Sequence, residues 1–85
     1  MNQKIKRSTS LGKNIKMFRL KSGLGVTELA KIMQLEGCET TREAINKIEA
    51  GNQNISLAQL KIFVKAFEVT YDTFFKFLEE DFIDG

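Results

Sequence analysis

The chain contains no histidine and only one cysteine, and both shortages restrict the chemistry that it can perform. Without histidine there is no imidazole to act as a general base, and Cys38 has no base partner that would make it a nucleophile. A lone cysteine also provides neither an internal disulfide nor a metal-ligand cluster, which fits the reducing cytosol. We therefore expect a cytoplasmic protein that is not an enzyme and that uses no metal and no cofactor.

Proline is absent and glycine is scarce, with six glycines in a chain of 85 residues. Because both residues interrupt helices, their scarcity favours a helical chain over an all-β one. No apolar run approaches the roughly 18 residues that a membrane span requires, so no membrane partner is expected. The length suits one small domain with a single core.

Charge is unevenly distributed along the chain, although the net charge is only +2. Up to residue 31 the charged side chains are basic apart from Glu28, and from residue 72 onward they are acidic apart from Lys76. A basic N-terminal half can meet a polyanion while the acidic end points away from it. Two solvated faces would explain the same pattern, so charge alone leaves both interpretations open.

Apolar spacing predicts five short helices and an all-α fold. The helices are expected at about 11–22, 26–34, 41–50, 57–67 and from 71 onward. Hydroxyl residues that can cap their N-termini stand at Ser10, Thr40 or Thr41, Ser56 and Thr70. A mobile basic arm is expected at residues 1–9, the folded domain at 10–78 and an acidic tail at 79–85.

The third predicted helix has two contrasting faces. At 100° per residue, Ile45 and Ile48 cluster with Ala44 on one side, and Glu49 lies at the border. Long polar side chains occupy the opposite side: Arg42, Glu43, Asn46 and Lys47. These residue types hydrogen-bond to base edges, and a short helix fits the major groove of DNA. An ordinary solvent-exposed helix face would show the same pattern, so the pattern alone allows both interpretations.

The chain resembles the Cro/phage-repressor-like, or XRE-type, helix-turn-helix family from "LGKNIKMFRLKSGLGVTELAKIM" through "TTREAINKIEAGNQNISLAQLKIFVKAFEVTYDTFF". The matching motifs are "LGKNIKMFR", "GL…ELA" in helix 2, "R…I.KIEAG" in helix 3 and "SL..L..…AF.V..D.FF" at the end. The resemblance implies a compact, five-helix, lambda-repressor-like domain with its helix-turn-helix at helices 2 and 3. It also implies a sequence-specific transcriptional regulator, more specifically a repressor, whose partner is double-stranded DNA.

The same resemblance implies roles for individual residues. Helix 3, at about 41–50, would be the recognition helix in the major groove. Its base-reading residues would be Arg42, Glu43, Asn46 and Lys47. Contacts to the DNA backbone would come from Thr27, Thr41, Asn52, Gln53 and Asn54. Arg19 and Glu49 would form a structural salt bridge that does not touch DNA.

The start of helix 2 departs from the family pattern. Gly25 and Val26 stand where the family usually has a hydroxyl cap followed by a phosphate-contacting glutamine. One backbone contact is therefore lost, although backbone N–H groups at this helix start can still bind phosphate. Thr27 is the expected substitute for the missing side chain.

The turn between helices 2 and 3, at residues 34–39, is longer than usual and has three open interpretations. Helix 2 can run a turn further, with Gly37 reversing the chain and Leu35 and Cys38 packing at the core edge. The turn can instead lie along DNA, although Glu36 and Glu39 would then face phosphates. A redox switch at Cys38 is the third, but acids flank the thiol rather than activating bases.

The last predicted helix carries an apolar stripe beyond the usual end of the domain. Its final members, Leu78, Phe82 and Ile83, are expected to form a homodimer contact, since a two-fold protein suits a palindromic operator. The alternative is a helix that folds back on its own domain. A different function is also compatible with this tail, namely a protein-interaction module of helix-turn-helix ancestry, such as an antitoxin that binds a partner protein.

Overall fold

The structure is a computed structural model that describes residues 4–5 and 9–76 of the 85-residue chain. Its elements in chain order are β1 Lys4–Ile5, α1 Thr9–Lys21, α2 Val26–Leu35, α3 Arg42–Glu49, β2 Ile55–Ser56, α4 Leu57–Phe67 and α5 Tyr71–Lys76. The predicted all-α, five-helix, lambda-repressor-like fold is confirmed. Within the described ranges no helix has the length and apolarity to cross a membrane.

One apolar core joins the five helices. Fully buried side chains come from each helix in turn: Ile15, Leu29, Met33, Ile45, Phe63 and Phe74. Phe18 on α1 stacks against Phe67 of α4 and Phe74 of α5, with ring centroids 6.3 Å and 5.7 Å apart. Because buried aromatic rings contribute large apolar areas, these contacts hold α1, α4 and α5 together as a base. The third helix packs mainly against α1 and α2.

Hydroxyl side chains begin the three later helices, as the sequence predicts. Thr41, Ser56 and Thr70 each accept a hydrogen bond from the backbone N–H three residues further on, at 3.1, 3.1 and 3.0 Å. Each cap satisfies one of the N–H groups that a helix start leaves without a partner. The expected cap at Ser10 is wrong, because α1 already begins at Thr9 and Ser10 lies inside the helix.

Glycine in the left-handed region ends both helices of the central pair. Gly37 follows α2 with a φ of 84°, and Gly51 follows α3 with a φ of 78°. The next N–H groups, of Cys38 and Asn52, donate back to the last turns of their helices at 2.9 and 2.8 Å. This Schellman-type geometry needs a backbone conformation that side chains strain. Gly51 therefore ends α3 where the sequence predicts, and Gly37 reverses the chain as in the first of the three interpretations of the turn.

A two-residue antiparallel ladder joins the N-terminal segment to the loop after α3. Lys4 pairs with Ser56, and Ile5 pairs with Ile55. Neither strand is predictable from the sequence, because two residues carry no detectable alternation. The arm that was expected to be mobile at residues 1–9 thus includes a paired strand. Thr9, which was counted with that arm, begins α1. The other residues of the arm and the acidic tail at 79–85 lie outside the described residues.

Candidate nucleic-acid interface

The third helix separates its apolar and polar side chains cleanly. Ile45 and Ile48 are buried against the core, at 0 % and 2 % exposure. The opposite face is exposed and carries Arg42, Glu43, Asn46 and Lys47. Because the two isoleucines seat the helix on α1 and α2, the polar side chains project from a fixed support. The structure therefore brings the four predicted base-reading residues onto one exposed face.

Arg42 and Glu43 form an ion pair at the start of this face. The Arg42 Nε lies 3.3 Å from Glu43 Oε2, and the two side chains are 64 % and 68 % exposed. Such an exposed pair contributes little to stability, so either partner can exchange it for another contact. A hydrogen bond from its own backbone N–H, followed by the Arg42 guanidinium, lowers the pKa of the Glu43 carboxyl. Glu43 is therefore an ionised acceptor at neutral pH.

Arg19 and Glu49 connect α1 to the end of α3 in the ion pair that the family resemblance implies. Arg19 Nε and Nη2 donate to the two carboxylate oxygens at 2.7 and 3.2 Å. The Nη1 group donates to the Leu24 carbonyl at 2.8 Å. Both charged side chains are only 7 % exposed. The Glu49 carboxylate is thus turned inward, away from the exposed face of α3.

Gly12 allows the backbones of α1 and α3 to touch. A Cβ at this position would overlap the carbonyl oxygens of Ile48 and Glu49. The contact explains a glycine inside a helix, where it costs about 1 kcal/mol relative to alanine. Gly12 was not among the predicted functional residues. Its one signal in the sequence is that a glycine stands inside a predicted helix.

A second anchor, in addition to the Arg19–Glu49 pair, holds the segment of chain that leads into α3. Thr40 is buried, and its Oγ1 accepts from Gln59 Nε2 at 3.1 Å and lies 3.5 Å from Cys38 Sγ. The Gln59 Oε1 also accepts from the Ser56 N–H at 2.8 Å, which completes a capping box at the start of α4. One side chain therefore couples the start of α4 to the entry of α3. The spacing of Ser56 and Gln59 is that of a capping box, which is the signal in the sequence that marks Gln59.

The longer turn matches the first of its three interpretations in part. Gly37 reverses the chain and Cys38 packs against the core, as expected. Helix α2 ends at Leu35, so it is one residue longer than its first expected end rather than a full turn longer. The expected packing of Leu35 is wrong, because this side chain is 87 % exposed. It follows the buried Met33 by two residues, or about 200° around the helix, and so points to the opposite side.

The predicted backbone-contacting residues fall into two groups around α3. Thr27 and Thr41 are exposed and line one groove between α2 and the start of α3. Beyond the other end of the helix lie the three loop residues Asn52, Gln53 and Asn54, of which Gln53 is half-buried. The Gly25 N–H at the start of α2 is already bound by the Glu28 carboxylate at 2.7 Å. That N–H group is therefore not open to a phosphate.

These features define a helix-turn-helix domain with an exposed polar third helix. A family model described as helix-turn-helix matches residues 15–74 of the chain. Because the match covers more than half of the 85 residues, the chain belongs to this family, the XRE-type helix-turn-helix proteins. It is thus a DNA-binding helix-turn-helix domain, as the resemblance in the sequence implies. The comparison with curated proteins gave no significant match.

Proposed function

We propose that the chain is a sequence-specific transcriptional regulator that acts in the cytoplasm as a repressor. The observation that supports this function is the exposed polar face of α3 above its two buried isoleucines. A helix of eight residues, presented in this way, fits the major groove of DNA. A domain bound there occludes the site from other proteins, which is sufficient for repression.

Each side chain of the exposed face has a suitable partner among the base edges. Arg42 and Lys47 can donate to the O6 and N7 atoms of guanine, and Asn46 can form a bidentate pair with adenine. Glu43, held in its ionised form, can accept from the amino group of cytosine. The mixture of donors and an acceptor suits reading of specific bases better than uniform attraction to phosphates.

Backbone contacts on both sides of α3 would fix the orientation of the helix. Thr41 uses its hydroxyl oxygen as the helix cap, which leaves the hydroxyl hydrogen available to a phosphate. Thr27 stands across the groove from it on α2. Asn52, Gln53 and Asn54 follow the left-handed Gly51 at the far end of the helix. Contacts at both ends would set the register of the helix on the duplex.

We further propose a homodimer on a palindromic operator, with Leu78, Phe82 and Ile83 at the dimer contact. These residues lie outside the described part of the chain, so their support is the apolar spacing of the sequence. Two-fold proteins bind half-sites about one helical turn apart. Truncation after Leu78 should yield a monomer by light scattering, and an unchanged dimer mass would remove the tail from the contact.

Selection of binding sites from random-sequence DNA tests the main proposal. The parent chain should enrich one family of related sequences, arranged as an inverted repeat. A matched variant with Arg42, Asn46 and Lys47 all changed to alanine should keep its fold, because these side chains are exposed, but should enrich nothing. Failure of the folded parent chain to enrich any sequence would contradict the proposed function.

A protein-interaction module, such as an antitoxin, is the second candidate. The 87 % exposure of Leu35 in the turn suits an apolar protein partner. The dependence on salt separates the two functions, because DNA binding weakens steeply with salt whereas apolar association does not. Binding that is insensitive to salt would favour the second candidate.

A further inference from the structure

A groove of about 270 Å³ separates α2 from the start of α3. Side chains from both walls line it: Thr27, Lys31, Gln34, Glu39, Thr41 and Arg42. Arg42 belongs to this groove and also to the exposed face of α3. The groove is therefore continuous with the surface that would read bases, and a duplex lying against that surface would also cover the groove.

Lys31 is the basic side chain of the α2 wall. It follows Thr27 by four residues and precedes Gln34 by three, so the three side chains share one helix face. Lys31 is exposed, and it forms no ion pair with any residue that the structure describes. An unpaired ammonium beside an amide and a hydroxyl matches the donors that proteins place against DNA phosphates.

The two acidic residues of the turn, Glu36 and Glu39, should repel a DNA phosphate less than the sequence suggests. Glu36 is bound by Lys65 of α4, whose Nζ lies 3.0 and 3.1 Å from the two carboxylate oxygens. Its charge is thereby offset, and its side chain does not line the groove. Glu39 remains as the acid on the wall opposite Lys31. The groove thus combines one unpaired cation with one opposing carboxylate.

We propose that Lys31 and Gln34 bind a DNA phosphate next to the bases that α3 reads, and that Glu39 weakens this contact. The one side-chain contact expected from α2 was Thr27, so this inference extends the interface by one helical turn. It rests on the proposed function, because it requires α3 to lie in the major groove. The groove opens beside Arg42, which makes DNA the occupant that the geometry favours.

The test is the dependence of binding on salt, measured with a random-sequence duplex by fluorescence anisotropy. Lys31→Ala should weaken binding several-fold, and the slope of log K against log salt should become shallower by about 0.9. The matched control is Lys61→Ala, which removes an exposed lysine of α4 outside the groove. The control should leave the slope unchanged. Equal slopes for the Lys31→Ala and Lys61→Ala variants would overturn the inference.

Glu39→Gln provides an independent outcome. Removing the opposing carboxylate should tighten binding to the random duplex and to a selected site by the same factor. Weaker binding confined to one base position would instead identify Glu39 as a base-reading residue and overturn its assigned role. If the parent chain shows no salt-dependent binding at all, the proposed function fails. If only the Lys31→Ala result fails, the proposed function stands without this contact.

Discussion

Arg19 and Glu49 hold α1 against the end of α3 through two hydrogen bonds of 2.7 and 3.2 Å. Each side chain is 7 % exposed, so each charge depends on the other for its partner. Paired hydrogen bonds between a guanidinium and a carboxylate also fix direction, which a single bond does not. The pair therefore sets the position of α3 without occupying its exposed face.

Breaking this pair from one side should destabilise the fold. Arg19→Met or Glu49→Met alone should lower the free energy of unfolding by about 3–5 kcal/mol, because one buried charge is left unpaired. The double variant should recover most of the loss, since no charge then remains. Urea unfolding followed by circular dichroism measures all three variants. Single variants as stable as the parent chain would show that the pair is dispensable.

Gly12→Ala should destabilise the chain although alanine is the better helix former. The added methyl group would overlap the Ile48 and Glu49 carbonyls, and overpacking of this kind costs about 1–3 kcal/mol. Lys16→Ala, at an exposed position on the same helix, is the control and should change stability by less than about 0.5 kcal/mol. Thermal unfolding compares the two. A more stable Gly12→Ala variant would mean that α1 and α3 can separate at no cost.

Arg42→Ala should weaken binding to the selected site by about 1–3 kcal/mol and relax the preference at one base pair. Its melting temperature should stay that of the parent chain, because the pair with Glu43 is exposed. Arg42→Lys keeps the charge but loses the bidentate geometry. This variant should therefore lose more of its preference for one base than of its affinity for DNA of any sequence. Competition between the selected site and single-base variants measures this. An Arg42→Ala variant with parental preference would exclude Arg42 as a base-reading residue.

The contribution of Glu43 to base preference should be constant between about pH 5.5 and 7.5. The pKa of the Glu43 carboxyl is lowered in the folded chain. Glu43 therefore stays ionised throughout this range and becomes protonated only when the pH falls through its lowered pKa. Glu43→Gln imitates the protonated form and should relax preference at one base pair at every pH. Competition assays at constant ionic strength provide the measurement. If the base preference of the parent chain already declines across this pH range, Glu43 is not the ionised base-reading residue that we propose.

The helices and their ends were predictable because their signals are local. Caps at Thr41, Ser56 and Thr70 and stops at Gly37 and Gly51 depend on residues within one turn. The errors at helix ends were small, since the expected start of α1 and the expected end of α2 differ from the structure by two residues and one residue. The strand pairing of Ile5 with Ile55 was missed because it joins residues that lie far apart in the chain. Helical periodicity alone predicted which face of α3 is buried and which is exposed.

Contacts between distant residues were predictable only where a family pattern already joined them, as for Arg19 and Glu49. Asn14 shows the contrary case: its Nδ2 donates to the Phe74 carbonyl at 2.8 Å, across sixty residues, and no sequence signal marks it. Gln59 reaches Thr40 in the same way. Long-range hydrogen bonds depend on how the helices pack, which periodicity does not specify.

The sequence by itself determined five helices, the caps of the last three and a polar face on the third helix, because helix propensity, capping and periodicity act over a few residues. Only the tertiary structure decided how that face is supported and what lies beside it. The close approach at Gly12, the anchor at Thr40 and the groove beside Lys31 each require two helices at a particular distance. That distance is set by side-chain packing in the shared core, a property of the whole chain rather than of any segment.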